Sequence, residues 1–166
     1  MEEVIPHAPL TFNGPLEAGL RAVALLGAAF PRAYDLQRLT GFDYLLVRTQ
    51  QLGGPDDLHP TAFIQTPATE VRRKVVLDSL HLMMTRDLVS RDVAGSGILY
   101  QAGEAAAMFL DALQSPYLVR VKDRAAWLVK NFGDYSDADF SLVMRKLFDQ
   151  WVVEFQDVEK SLGDDS

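Results

Sequence analysis

Glu70-Val-Arg-Arg-Lys-Val-Val-Leu-Asp-Ser-Leu-His-Leu-Met-Met84 is followed by Leu88-Val-Ser-Arg-Asp-Val93, then by Ala94-Gly-Ser-Gly97 and Ile98-Leu-Tyr-Gln-Ala102. The first segment has helical period. Val76, Leu80, Met83 and Met84 share one face, while Lys74, Asp78, His81 and Thr85 share the opposite one. The remainder reads as a two-stranded hairpin, with Leu88, Val89 and Val93 pairing with Ile98, Leu99 and Tyr100 across a Gly-Ser-Gly turn. A helix running straight into a hairpin, after two earlier helices, is the outline of a winged helix.

Upstream, Asn13-Gly14-Pro15 opens a first helix, because proline in the first turn loses no hydrogen bond. Leu16, Leu20, Val23 and Gly27 fall on one face of it, and Phe30-Pro31 ends it. Asp35 caps a second helix reaching to about Gln51, where Gly53-Gly54-Pro55 stops it. Gly41 inside that helix costs about 1 kcal/mol relative to alanine, so a close approach or a bend is expected there. Prolines 55, 60 and 67 make the following stretch a loop.

Downstream, a fourth helix begins after Gly103 and ends near Leu113. Ser115-Pro116 opens a fifth carrying Tyr117, Val121, Trp127 and Leu128, and Ser136 with Asp139 caps the last. That closing helix aligns Phe140, Met144, Leu147, Trp151 and Val158, and Val143, Phe148, Val152 and Phe155 broaden the stripe. A stripe that wide suits contact with a partner as well as with the core, which singles out Phe148, Trp151, Val152 and Phe155. The expected fold is mainly α, with a winged-helix-like core of three helices plus a β-hairpin wing and additional C-terminal helices. Residues 1–13 form an extended arm and 14–113 the core. Residues 114–160 form a helical extension of the same domain, and 161–166 an acidic tail.

The 166 residues, 48% of them hydrophobic, suffice for one packed domain. The absence of cysteine excludes disulfides, thiolate metal sites and cysteine nucleophiles, and suits a reducing cytoplasm. No apolar run is long enough to span a bilayer, and Met1-Glu-Glu-Val-Ile-Pro lacks the pattern of a secretory signal. A cytoplasmic protein is expected. A net charge of −7 disfavours a stand-alone DNA binder, which must neutralise phosphates. Arg72, Arg73, Lys74, Arg86 and Arg91 nevertheless make a local basic stretch. Of these, Arg72, Arg73, Lys74 and Arg91 are the candidates for DNA contact, provided that helix start and wing converge. The plainer reading of the stretch is a solvated helix face with Glu70 and Asp78 as partners.

Chemistry is hard to find. His7, His59 and His81 are far apart, and none has a second ligand at metal-binding helical spacing. Asp56-Asp57-Leu58-His59 reads as a turn. Gly95-Ser96-Gly97 is neither a nucleophile elbow nor a dinucleotide fingerprint. Asp43 and Asp78 have no recognisable acid–base partner, and Arg32, Arg38 and Arg48 form no constellation. No catalytic residue, cofactor, metal, membrane or small-molecule substrate is expected, and the chain reads as a non-enzyme.

Four segments carry a family resemblance: Asn13-Gly-Pro-Leu-Glu-Ala-Gly-Leu-Arg21; Pro31-Arg-Ala-Tyr-Asp-Leu-Gln-Arg-Leu39 with Phe42-Asp-Tyr-Leu-Leu-Val47; Gly53-Gly-Pro-Asp-Asp-Leu-His-Pro60; and Ser96-Gly-Ile-Leu-Tyr100 with Phe109-Leu-Asp-Ala-Leu113. In these the chain resembles the middle component of bacterial three-component ABC-ATPase systems, of which Lamassu-type anti-phage defence is a relative. The resemblance implies an accessory subunit that binds an SMC-like (structural-maintenance-of-chromosomes-like) ABC ATPase. It also implies that the subunit helps to restrain an effector protein, often a nuclease, with double-stranded DNA as a further partner. None of the four segments encodes catalysis. The competing expectation, from the basic helix start and hairpin, is a winged-helix DNA-binding transcriptional regulator.

Overall fold

A computed structural model describes residues 14–58 and 69–148. Among these the chain is mainly helical with one small antiparallel sheet. The elements are α1 (Pro15–Ala29), α2 (Leu36–Leu46), a 3-10 turn (Thr49–Leu52), α3 (Thr69–Met84), β1 (Val89–Ala94), β2 (Gly97–Ala102), α4 (Ala106–Ala112) and α5 (Pro116–Phe132). A further helix, α6, occupies 137–148. No described helix is long and apolar enough to cross a membrane.

Helix α1 is the centre of the fold. It packs against α2, α3, α4, α5 and β2, so it is buried on nearly every side. Its alanines let neighbouring helices come close, and Val23, Leu25 and Leu26 fill the space between them. Each such side chain removed from water contributes roughly 1.5–3 kcal/mol. The single-face reading of α1 needs correction. Leu16 is 56% exposed, Leu20 is half-buried, and the buried set runs continuously from Arg21 to Leu26. A central helix has no single inner face.

Helix α2 begins where Asp35 accepts a hydrogen bond from the Arg38 amide at 2.8 Å. It stops at Leu46, earlier than expected, and the chain tightens into the 3-10 turn before Gly53 takes a left-handed φ of 81°. Thr49 Oγ1 closes this corner by donating to the Pro55 carbonyl at 2.7 Å. Gly41 does mark a close approach: a β-carbon there would lie 2.5 Å from Cε1 of Phe140 on α6.

The hairpin forms in the expected place with a tighter register. Val89 faces Ala102, Arg91 faces Tyr100 and Val93 faces Ile98, while Leu88 precedes the ladder. Only Gly95 and Ser96 form the turn, and Gly97 opens β2 at φ 133°, a conformation that favours glycine. Tyr34, between α1 and α2, makes an isolated bridge to Tyr100, each amide donating to the other's carbonyl at 2.9 and 2.8 Å. Ser115 Oγ accepts from the Leu118 amide at 3.4 Å to start α5. Ser136 Oγ accepts from Asp139 at 3.1 Å to start α6, as its sequence predicts. Phe140 and Leu147 of α6 are buried, Val143 and Met144 are half-buried, and Phe148 is exposed. The wider stripe from Trp151 through Val152 and Phe155 to Val158, the arm 1–13 and the acidic tail lie outside the described residues.

Candidate functional site

Three helices each contribute one charged residue to a common point. Arg21 lies in the apolar run of α1, Asp43 follows Phe42 in α2, and Arg72 belongs to the first turns of α3. Asp43 is 4% exposed and held from both sides. Arg21 Nε donates to Asp43 Oδ1 at 2.7 Å, and Arg72 Nη1 donates to Oδ2, also at 2.7 Å. A longer bond from Arg21 Nη2 to Oδ2, 3.4 Å, makes the first pairing forked. Burial by itself would raise the Asp43 carboxyl, but the two guanidiniums overcome it and hold the group below the usual carboxylate range. Burial likewise opposes the charge of Arg21, and Asp43 more than reverses that, leaving Arg21 more basic than usual.

Tyr44 extends the group. The Arg48 guanidinium stacks 3.7 Å from its ring centroid and donates to its carbonyl at 2.9 Å, while that of Arg72 lies 5.5 Å from the same ring. Burial, with the neighbouring Arg72 charge adding to it, pushes Arg48 down to about 10, so it keeps its proton at neutral pH. Arg21 Nη1 and Arg72 Nε are out of contact with solvent and have no hydrogen-bond partner among the described residues.

A cleft of about 480 Å³ opens beside Arg72, between α2, the start of α3 and α6. Tyr44, Phe140 and Met144 supply apolar wall, Gln37, Thr40 and Ser141 polar rim, and Arg72, Arg73 and Glu70 the charges.

The four candidate DNA-contacting residues do not share one environment. Arg72, expected toward solvent, turns inward and is half-buried on Asp43. Lys74 is exposed and pairs with Asp78 at 3.0 Å, the partner its helix offers. Arg73 is exposed at the cleft, and Arg91 is exposed on β1, opposite Tyr100. Among the described residues, no ion pair or side-chain hydrogen bond links Arg91 to the other three. Of the partner-binding candidates, Phe148 is 45% exposed, whereas Trp151, Val152 and Phe155 are outside the described residues. His81 is exposed on α3, and no group of three or more metal-ligating side chains occurs among the described residues.

The sequence reading finds no partner for Asp43 and no constellation for Arg38 and Arg48, and does not single out Arg21; the structure gives each a partner. The signal was present as a single charge inside an apolar run: Arg21 in Ala18-Gly-Leu-Arg-Ala-Val-Ala24, and Asp43 in Phe42-Asp-Tyr-Leu-Leu-Val47. Charges of opposite sign, each isolated on an apolar helix, are expected to find one another in the core.

Comparison with curated proteins and with solved structures returned no match. A family model does match, over residues 11–154: middle component 2 of the ABC-three component (ABC-3C) systems. That span takes in every described helix, both strands and the buried Arg21–Asp43–Arg72 group, so the chain belongs to the middle component 2 family of ABC-three component systems.

Proposed function

We propose that this chain is a non-enzymatic accessory subunit, acting in the cytoplasm, that bridges an SMC-like ABC ATPase and an effector protein in a Lamassu-type anti-phage assembly. Family membership makes it one component of a multi-component system. The observation that carries the bridging role is apolar surface on more than one face. Val71 (65% exposed) and Leu82 stand on the outer side of α3, Met108 (81%) on α4, and Leu142 (58%) with Phe148 on α6. A second cleft, about 400 Å³, is lined by Leu16, Leu20, Leu82 and Phe109 with Arg86 at its edge. Large side chains exposed on separate faces suit a protein that touches two neighbours.

The test is co-expression with the ATPase and effector components of the same system, followed by size-exclusion chromatography. Co-elution with both components supports the bridge. Co-elution with one alone leaves an accessory subunit that does not bridge, and elution as a separate species overturns the reading.

A second reading, a winged-helix DNA-binding regulator, is favoured by one specific observation. The Tyr34–Tyr100 bridge sets the segment before α2 against β2, beside the two-stranded hairpin. Exposed Arg73 and Arg91 are the residues it would use against phosphates. The inward turn of Arg72 and the Lys74–Asp78 pair weigh against it. Retention of duplex DNA that weakens steeply with added salt, and weakens again in Arg73→Ala/Arg91→Ala, would favour this reading over the first.

A further inference from the structure

A buried guanidinium needs bonds for its N–H groups and a counter-charge for its cation. Around Asp43 two guanidiniums share one buried carboxylate, Glu17 adds a weaker attraction for Arg21, and among the described residues Arg21 Nη1 and Arg72 Nε have no hydrogen-bond partner. The Arg72 side of this group faces the 480 Å³ cleft, of which Arg72 is a wall. Arg73 adds a second cation at the same wall, and Glu70 is the one acid among the described lining residues. The first turn of α3 contributes the positive end of its dipole to the same place.

The remaining walls specify what accompanies the negative charge. Tyr44, Phe140 and Met144 are apolar, and Gly41 lets Phe140 and Met144 close in on α2. Apolar wall beside the exposed Arg73 fits a chain segment lying across the cleft better than a small molecule enclosed by it. We propose that the cleft between α2, α3 and α6 receives an acidic segment of a partner protein, its carboxylate meeting Arg72 and Arg73 and a flanking apolar side chain resting on Phe140 and Met144. This rests on the subunit reading above and names the chemistry of one of its contacts.

The experiment uses the full chain co-expressed with the ATPase and effector components, in three forms: wild type, Arg73→Glu and Lys74→Glu. Arg73 and Lys74 are adjacent and exposed, but only Arg73 lines the cleft, so neither substitution disturbs the core. The expected result is a complex weakened about tenfold or more by Arg73→Glu, equivalent to about 1.4 kcal/mol, and changed less than about twofold by Lys74→Glu. A wild-type complex that both variants form equally well overturns the inference and leaves the subunit reading standing. A wild type that binds neither component overturns both. In parallel, the Arg72 Nε–H resonance of the isolated chain is followed by NMR during titration with 3-phenylpropionate. A saturable shift, together with assembly that ignores Arg73→Glu, reassigns the cleft to small anions and overturns the partner proposal.

Discussion

Two buried arginine groups sit on opposite sides of α2, and they are finished differently. At one, Arg38 donates to the Tyr135 carbonyl at 2.8 Å and to Asp137 at 2.9 Å, and its guanidinium lies 4.4 Å from the Phe140 ring centroid. Its acid partner is 91% exposed, so water shares the charge. At the other, Arg21 and Arg72 enclose a carboxylate that water hardly reaches. The first group is a clamp that ties α2 to the turn before α6, helped by Tyr34, whose hydroxyl donates to the Gly133 carbonyl at 3.1 Å. In the second, Arg21 Nη1 and Arg72 Nε have no hydrogen-bond partner among the described residues. A closed group needs nothing more; an open one marks where something else belongs.

The largest expected effect comes from emptying the open group of its acid. Asp43→Ala leaves two guanidiniums buried without a counter-charge and should cost about 3–5 kcal/mol, read as a lower urea midpoint. Replacing all three residues by apolar ones of similar size (Arg21→Met, Asp43→Leu, Arg72→Met) should recover most of that loss, because the desolvation penalty goes with the charges. If Asp43→Ala is nearly neutral, the two groups are energetically alike and the contrast fails. Acid gives a second way in. The folded Asp43 carboxyl is held below its unfolded value, so its stabilisation is complete above about pH 4 and drains away as pH falls through the lower folded value. Urea midpoints measured from pH 6 down to 2 should therefore converge for wild type and Asp43→Ala at the acid end.

Gly41 lies between the groups, and Gly41→Ala tests whether they share a wall. The new methyl would strike Phe140 at Cε1 and Cζ, 2.5 and 2.8 Å away. Moving that ring disturbs both the surface on which Arg38 rests and the side of the cleft. A loss of about 1–3 kcal/mol is expected from overpacking. Arg38→Ala, by contrast, opens its former partners to water and should cost only about 1–2 kcal/mol. The order Asp43→Ala, Gly41→Ala, Arg38→Ala in thermal unfolding is the prediction; a larger loss at Arg38 than at Asp43 would reverse the account of which group is closed.

What was legible beforehand follows the range of the interaction. Pro15, Asp35, Ser136 and the Gly95-Ser96 turn act within a few residues of themselves, and each marks an element where the structure has one. The end of α2 was misjudged because a 3-10 turn keeps helical spacing for a few residues more. Leu16 was placed inside because periodicity tells which residues share a face and says nothing of how many faces are covered. The candidate site was least legible. Arg72 is read with Arg73 and Lys74 when only neighbours in sequence are considered, yet its partner is 29 residues away on another helix. Which way an arginine turns depends on which helix arrives beside it.

The smallest expected effect is also the control for the rest. Lys74 and Asp78 form an i, i+4 pair 3.0 Å apart, with side chains 77% and 46% exposed. Both ions keep much of their water, so their attraction is weak and salt screens it further. Lys74→Ala should lower stability by only about 0.3–0.5 kcal/mol, and by less at high ionic strength. Arg72, two residues earlier on the same helix, belongs to the buried group, and Arg72→Ala should be several times more costly and nearly indifferent to salt. Urea titrations of both variants at low and high salt separate the cases. Equal losses with equal salt dependence would mean that Arg72 behaves as a surface cation in solution, and the open group, with the cleft proposal built on it, would have no foundation.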